Sequence, residues 1–333
     1  MGVAMKLGIM IEGQEGLTLE RWTRIGRLVE ELGFESLWRS DHFMSLMGGT
    51  RDAPETWATL VQTAIETSRI RFGPLVSPMT FRHPSLLARV ATAVDRLSGG
   101  RLVLGVGAGW NEREHQAYGL PFPPVGQRME MLEEGIEVIL RLQEDGPASF
   151  TGTHYQLDAA DMQPKPVQRP RIPLLIGGSG EKRTLPLVAR YADEWNMTGA
   201  TPERFREKSD VLDGHCRGIG RNPDEIERSI MTAFLIGENE AALRKHCEAV
   251  QQVIPRLARM DAGEIPRAAK EWGWLAGTPD DLIASLRALS DAGVDRVMLQ
   301  HHDQDNDGLL RLIAREVMSA VAQRRASASI RRT

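Results

Sequence analysis

Residues 82–110 read RHPSLLARVATAVDRLSGGRLVLGVGAGW, and this stretch decides the fold. It holds a helix, a tight Gly99-Gly100 turn, a buried strand and a glycine-rich exit from that strand. A strand ending in Gly105-Val106-Gly107-Ala108-Gly109 presents bare backbone at its C-terminal end. Bare backbone lets a flat ring or a phosphate approach closely.

The same alternation runs along the whole chain. Strands are predicted at Lys6–Ile11, 36–38, 70–76, 101–106, 173–177, 194–197, 229–236 and Arg296–Gln300. Most are short apolar runs, as parallel strands covered on both faces require. Amphipathic helices are predicted at 19–32, 55–68, 85–97, 127–143, 181–191, Pro202–Gly218, 240–252 and 279–292, with a last helix at 308–323. Thr278-Pro279-Asp280-Asp281 reads as a cap, a first-turn proline and acids at the positive helix end. Eight strands, each followed by a helix, predict an α/β fold, a (β/α)8 TIM barrel forming one domain over 1–323. Residues 324–333 are expected to fray.

Two segments break the repeat: 150–171, after the fourth helix, and 254–276, before the last βα repeat. The first suggests a hairpin at 150–157 and then a proline-rich run; the second contains Trp272 and Trp274. Long excursions in a barrel are expected over the active face or at an oligomer contact.

Composition narrows the function. The chain has 333 residues, 41% hydrophobic and 26% charged, which describes an ordinary globular protein. A net charge of −4 gives no reason to expect nucleic acid. No apolar run approaches the roughly 20 residues of a membrane span, and MGVAMKLGIMIEG reads as a first strand rather than a secretory signal. Cys216 and Cys247 form no metal-spacing motif, which suits a reduced, cytoplasmic protein.

Barrel chemistry gathers at the C-terminal strand ends. Here those ends carry Glu12, Asp41-His42, Val76-Ser77, Gly107-Ala108-Gly109-Trp110, Gly177-Gly178-Ser179-Gly180, Trp195-Asn196 and Gln300-His301-His302. A histidine beside a carboxylate, just past a strand, can exchange protons near neutral pH, so His42 and Asp41 are candidate catalytic residues. A Gly-rich turn feeding a helix suits a phosphate. Trp38, Trp110, Trp195 and His301 are candidate walls. No metal is expected, because His301 and His302 are adjacent and no other His/Cys cluster joins them. No GxSxG elbow is present, and none of the six lysines falls at the C-terminal end of a predicted strand, which disfavours a hydrolase or aldolase.

Four blocks resemble the luciferase-like superfamily, in its branch using the deazaflavin coenzyme F-420. They are 37–43 (LWRSDHF), 77–109 with its RHP and DRLSGGRLVLGVGAG, 118–122 (YGLPF) and 174–196 (LLIGGSGEKRTLPLVARYADEWN). The resemblance implies an oxidoreductase that moves a hydride between the deazaflavin ring and a small organic substrate. It implies a non-proline cis peptide within 74–77, so that Val76 and Ser77 back the ring. It implies a cofactor phosphate on Gly177, Gly178, Ser179 and Gly180, ring contacts from Gly107, Ala108, Gly109 and Trp195, and Asp41 and His42 against the reacting edge. Asp41 would fix the His42 tautomer or bond the ring. Relatives in the sugar-phosphate dehydrogenase branch carry an acid in the strand-four exit; here the exit is Gly109-Trp110 and the acid comes only at Glu112, which speaks against a sugar phosphate. The alternatives are an FMN-dependent two-component monooxygenase, which would need a separate reductase, and a non-catalytic flavin-binding accessory protein. By analogy with relatives, a homodimer is expected.

Overall fold

The computed structural model describes residues 5–49 and 51–322, so the tail expected at 324–333 lies outside the described residues. In chain order the elements are β1 (Lys6–Ile11), α1 (Leu19–Glu31), β2 (Ser36–Arg39), α2 (Thr56–Glu66), β3 (Arg71–Pro74), β4 (Ser77–Pro78), α3 (Pro84–Leu97), β5 (Leu104–Gly107), α4 (Glu112–Ala117) and α5 (Val125–Gln143). They continue as β6 (Ala148–Thr151), β7 (Gln156–Ala160), β8 (Leu174–Gly177), α6 (Thr184–Tyr191), β9 (Glu194–Thr198), α7 (Pro202–Gly218), β10 (Glu227–Ile236) and α8 (Glu240–Gln251). Last come α9 (Ile265–Glu271), β11 (Leu275–Gly277), α10 (Pro279–Asp291), β12 (Arg296–Gln300) and α11 (Asp307–Leu312). A π-helical stretch, Ile313–Met318, follows.

The strands pair in the order β3-β2-β1-β12-β10-β9-β8-β5-β4. All pairs in this ring are parallel; Met10 lies opposite Trp38 on one side and Gln300 on the other. The third barrel strand is in two pieces: β3 lies within the predicted 70–76, and β4, at Ser77–Pro78, begins one residue beyond it. A parallel bridge between Phe72 and Leu102 and the β4–β5 pairing close the ring, giving a (β/α)8 barrel. The break between the halves contains the Leu75–Val76 peptide, which is cis, within the range that the resemblance implied.

The strand-four glycines have a different first task from the one expected. A Cβ at Gly105 would lie 2.1 Å from the Pro74 carbonyl oxygen, and one at Gly107 would lie 2.8 Å from Val76 Cγ2. One at Gly177 would lie 3.2 Å from Val76 Cγ1. These glycines therefore seat the strand-three break, and Val76 nests between β5 and β8. Gly109, with φ +77, turns the chain where a Cβ would meet Thr80 Oγ1.

Two layers of core follow from strand alternation. Met10, Trp38, Leu75, Val103, Leu175 and Met298 fill the barrel interior. The opposite faces pack under the helices in the main core. The helices end where expected: Gly33 and Gly293 take positive φ after α1 and α10, and Thr278 and Asp281 form a reciprocal cap on α10.

The first excursion lies away from the mouth, and the second lies at the mouth as expected but is larger. The β6–β7 hairpin spans more than 150–157 and runs along the flank of α3 and α5, not over the mouth. Its Thr153, His154 and Tyr155 N–H groups bind the Glu134 carboxylate of α5, and 163–168 continues down α3 through Arg89, Arg96 and Asp95. The second excursion is larger than predicted. It begins with α8, which was expected to be a barrel helix; α10 is the helix that joins β10 to β12. The segment from α8 to β11 has its own small core of Leu235, Leu243, Cys247, Val250, Leu257 and Ile265. β11 pairs with the last residues of β10, so this unit stands at the barrel mouth.

Candidate active site

β1, β2 and β12 deliver the polar floor of the mouth. Glu12, just past β1, accepts from Gln300 at 2.6 Å and from Gln14 at 2.8 Å. The charge of Glu12 is felt by both His42 and His302. The Trp274 ring of the second excursion stands 6.2 Å from His302, and Arg256 lies over Trp272 and Trp274 at 3.8 and 4.6 Å. Thr232 of β10 pins the turn between the two indoles by donating to the Gly273 carbonyl at 2.7 Å.

His42 is bound by a residue that the sequence reading missed. Its Nδ1 lies 2.7 Å from Glu114 Oε2. A carboxylate only accepts, so Nδ1 carries a proton. Glu114 Oε1 also accepts the N–H groups of Phe43 and Met44. Glu114 reaches this place because Asn111 caps α4 and donates to its Oε2 at 3.3 Å. An aromatic cluster of Phe43, Phe81, His115, Tyr118 and Phe122 clamps α4 to the strand-two loop, and the Tyr118 hydroxyl donates to the Phe43 carbonyl at 2.9 Å. The Asn111-x-x-Glu114 spacing, a capping pattern, was the available signal.

The electrostatics couple the two groups. Burial pulls the His42 pKa down, but the hydrogen bond and charge of Glu114, with the charges of Glu12 and Asp41, outweigh it and hold it above 6.5. Burial pushes Glu114 up, but His42 and the two backbone N–H groups hold it below its ordinary 4.5.

Asp41 does not fix the His42 tautomer, the first of the two parts expected of it. It is 1% exposed, and its oxygens accept from Ser77 Oγ at 2.6 Å and from both Arg82 Nη atoms at 2.5 and 3.1 Å. Among the described residues it makes no hydrogen bond to His42. Asp41 and Ser77 thus bind each other and lock the strand-two end to the RHP segment; neither fixes the histidine.

Trp195 is also corrected. Asn196 points inward to Ser229 of β10 and to Met298, so Trp195 points outward. It is fully buried, stacked on Phe205 at 5.3 Å, and donates to the Gly178 carbonyl at 2.7 Å. It shapes the glycine turn from behind. Trp38 is buried inside the barrel, while Trp110 is 66% exposed and meets His42 edge-on at 5.8 Å. His301 turns away from the mouth onto Phe234, at 5.8 Å, and burial pushes its pKa down to about 3.

The turn Gly177-Gly178-Ser179-Gly180 is open. Gly178, at φ +121, donates to the Asn196 carbonyl. Among the described residues no protein acceptor takes the N–H of Ser179 or Gly180. α6 starts at Thr184, three residues later than predicted, and carries no side-chain cap. Ala108 and Gly109 lie half-buried beside this mouth.

Comparison with known proteins agrees with the barrel fold. The chain is 28% identical over 315 residues to the F420-dependent glucose-6-phosphate dehydrogenase of Microbacterium testaceum, covering 90% of this chain and 92% of that one. It is 26% identical over 351 residues to the 5,10-methylenetetrahydromethanopterin reductase of Methanopyrus kandleri, covering 92% and 97%. In fold it matches an F420-dependent secondary alcohol dehydrogenase, solved with an F420-acetone adduct, with TM-score 0.80 at 20% identity over 96% of this chain and 99% of that one. It matches a long-chain alkane monooxygenase with TM-score 0.81 at 15% identity over 98% and 94%. Residues 5–296 match the family described as luciferase-like monooxygenase, and the chain belongs to that family.

Proposed function

We propose that this protein is a coenzyme F-420-dependent oxidoreductase acting on a small organic molecule. The observation that carries the reading is His42, held by Glu114 at the strand-two end, facing a mouth whose other side is an open glycine turn at a helix start. The F420-dependent relatives, which span nearly the whole chain, support the same reading. The residues fit such a group. The unpartnered N–H groups of Ser179 and Gly180 suit its phosphate, as a helix N-terminus does. Val76, nested among Gly107 and Gly177, would back the ring, with Ala108 and Gly109 at its edge. The bound deazaflavin supplies hydride transfer at its central carbon. His42 supplies the proton partner; Trp110 and Trp274 limit water and shape the substrate space.

Fluorescence titration with F-420 and with FMN tests this. Saturable F-420 binding, weakened by a bulky residue at Gly178 or Ser179, is expected. Tight FMN binding without F-420 binding would overturn it in favour of the monooxygenase reading. We further propose a cytoplasmic homodimer, checked by its mass in solution; among the described residues no helix is long and apolar enough to cross a membrane.

A further inference from the structure

The two carboxylates near the strand-two end are held in different ways. Asp41 has a permanent counter-charge in Arg82. The Glu114 side chain is 0% exposed, and among the described residues no lysine or arginine pairs with it. Among the described residues its only cationic partner is His42. With His42 neutral, the carboxylate would keep its charge in a buried place with only neutral donors around it. Unpaired buried charge is costly, so the pair favours the imidazolium. The Glu114 bond also fixes the ring: Nδ1 is engaged, and Nε2, on its far side, has no protein partner among the described residues.

We propose that Glu114 is a positioning residue that keeps His42 doubly protonated, with Nε2–H presented to the mouth, so that His42 donates a proton to the substrate. This rests on the oxidoreductase reading and deepens it by naming the substrate class: a carbonyl or imine compound undergoing reduction. The substrate carbon receives a hydride from the reduced deazaflavin. The π pair moves to the oxygen or nitrogen, which takes the Nε2 proton. The deazaflavin is left oxidised by two electrons, and His42 is left neutral, to be reprotonated from water. The charged groups facing His42 are Glu114 from α4, Glu12 from β1, and Asp41 from β2 with Arg82 upon it. Three of these four are anionic, which favours the same protonation state.

The test is an imidazole nitrogen NMR titration of His42 in the cofactor-free full chain, for wild type, Glu114→Gln and Glu114→Asp. Glutamine keeps an oxygen for the Phe43 and Met44 N–H groups but removes the charge. The expected result is a wild-type midpoint above that of free histidine, a drop of about one unit or more, tenfold in the proton affinity, in Glu114→Gln, and recovery in Glu114→Asp. An unchanged midpoint in Glu114→Gln overturns the proposal. So does a wild-type His42 that is neutral at pH 7, a result that needs no variant and holds even if Glu114→Gln fails to fold. With chemically reduced F-420 and a panel of ketones and imines, kcat is expected to fall as pH rises through that midpoint, at a lower pH in Glu114→Gln. Failure to bind F-420 would remove the cofactor reading while leaving the titration result standing.

Discussion

The two ends of the barrel use charge in opposite ways. At the N-terminal ends of the strands, Arg296 is 2% exposed and bridges Glu35 at 2.9 Å and Glu227 at 3.2 Å, with Glu194 as a third partner. Lys6 adds a second cation on Glu227 at 2.7 Å. Arginine stays charged at any ordinary pH, so the cation of this knot does not change state. At the C-terminal ends, the buried carboxylate of Glu114 faces a histidine, the side chain whose charge changes near neutrality. The lower end locks the strands together; the upper end holds a group able to change state. This is the division of labour expected of a barrel enzyme.

The comparison breaks most visibly at His42. His42→Ala is expected to lower kcat by roughly 10²–10⁴-fold, the usual contribution of a positioned acid or base. Because it also strips the buried Glu114 carboxylate of its cation, its urea midpoint is expected to fall modestly, by less than that of the Arg296 variant below. A large loss of stability with little loss of turnover would reverse the roles assigned to the two ends. Arg296→Met is the matching test below. Removing the cation leaves the buried Glu194 carboxylate without its cation, and a loss of about 3–5 kcal/mol in chemical denaturation is expected. F-420 affinity of the folded fraction should be preserved.

A third test lies between the ends. Gly105→Ala places a Cβ against the Pro74 carbonyl, a backbone atom that cannot rotate away. It is expected to cost about 1–3 kcal/mol in urea unfolding. Gly107→Ala meets only the Val76 side chain and should cost less; equal costs would argue against a rigid strand-three break.

The smallest effect is the pH dependence of stability. His42 is held above 6.5, so its stabilising contribution is complete below that pH and is lost as pH rises through the folded-state value. Glu114 is held below 4.5, so its contribution is present above that pH and is lost as pH falls through its folded-state value. The pair therefore contributes most between these limits. Urea midpoints across pH for wild type and Glu114→Gln should converge on the alkaline side; parallel curves would show that the two groups are not linked.

The barrel was legible because parallel strands are continuous apolar runs, and eight of them stood out. The break in the third strand was not legible from periodicity, since Leu75 and Val76 continue the apolar run of 70–76; only the resemblance pointed to it. α8 was mistaken for a barrel helix because its apolar stripe is real; the stripe faces the small core of the excursion instead. Trp195 could have been placed correctly. Glu194-Trp195-Asn196-Met197-Thr198 alternates polar and apolar, and that period of two puts the indole with Met197 on the outer face. His42 was found because its signal is local. Its partner was not, because Glu114 lies 72 residues away and only the closed ring brings the ends of strands two and four together. The neighbouring Asp41 was the nearer carboxylate in sequence, yet the RHP arginine claims it.

The excursion over the mouth leaves and rejoins the barrel at almost one point. The Gly237 N–H donates to the Gly277 carbonyl at 3.3 Å, and between them the chain builds α8, α9 and its own small core. A short linker across that single hydrogen bond would reconnect β10 to α10 without moving either. The unit is thus a detachable cartridge. Arg256, Trp272 and Trp274 all belong to this one unit, while His42, Glu114 and the glycine turn lie outside it.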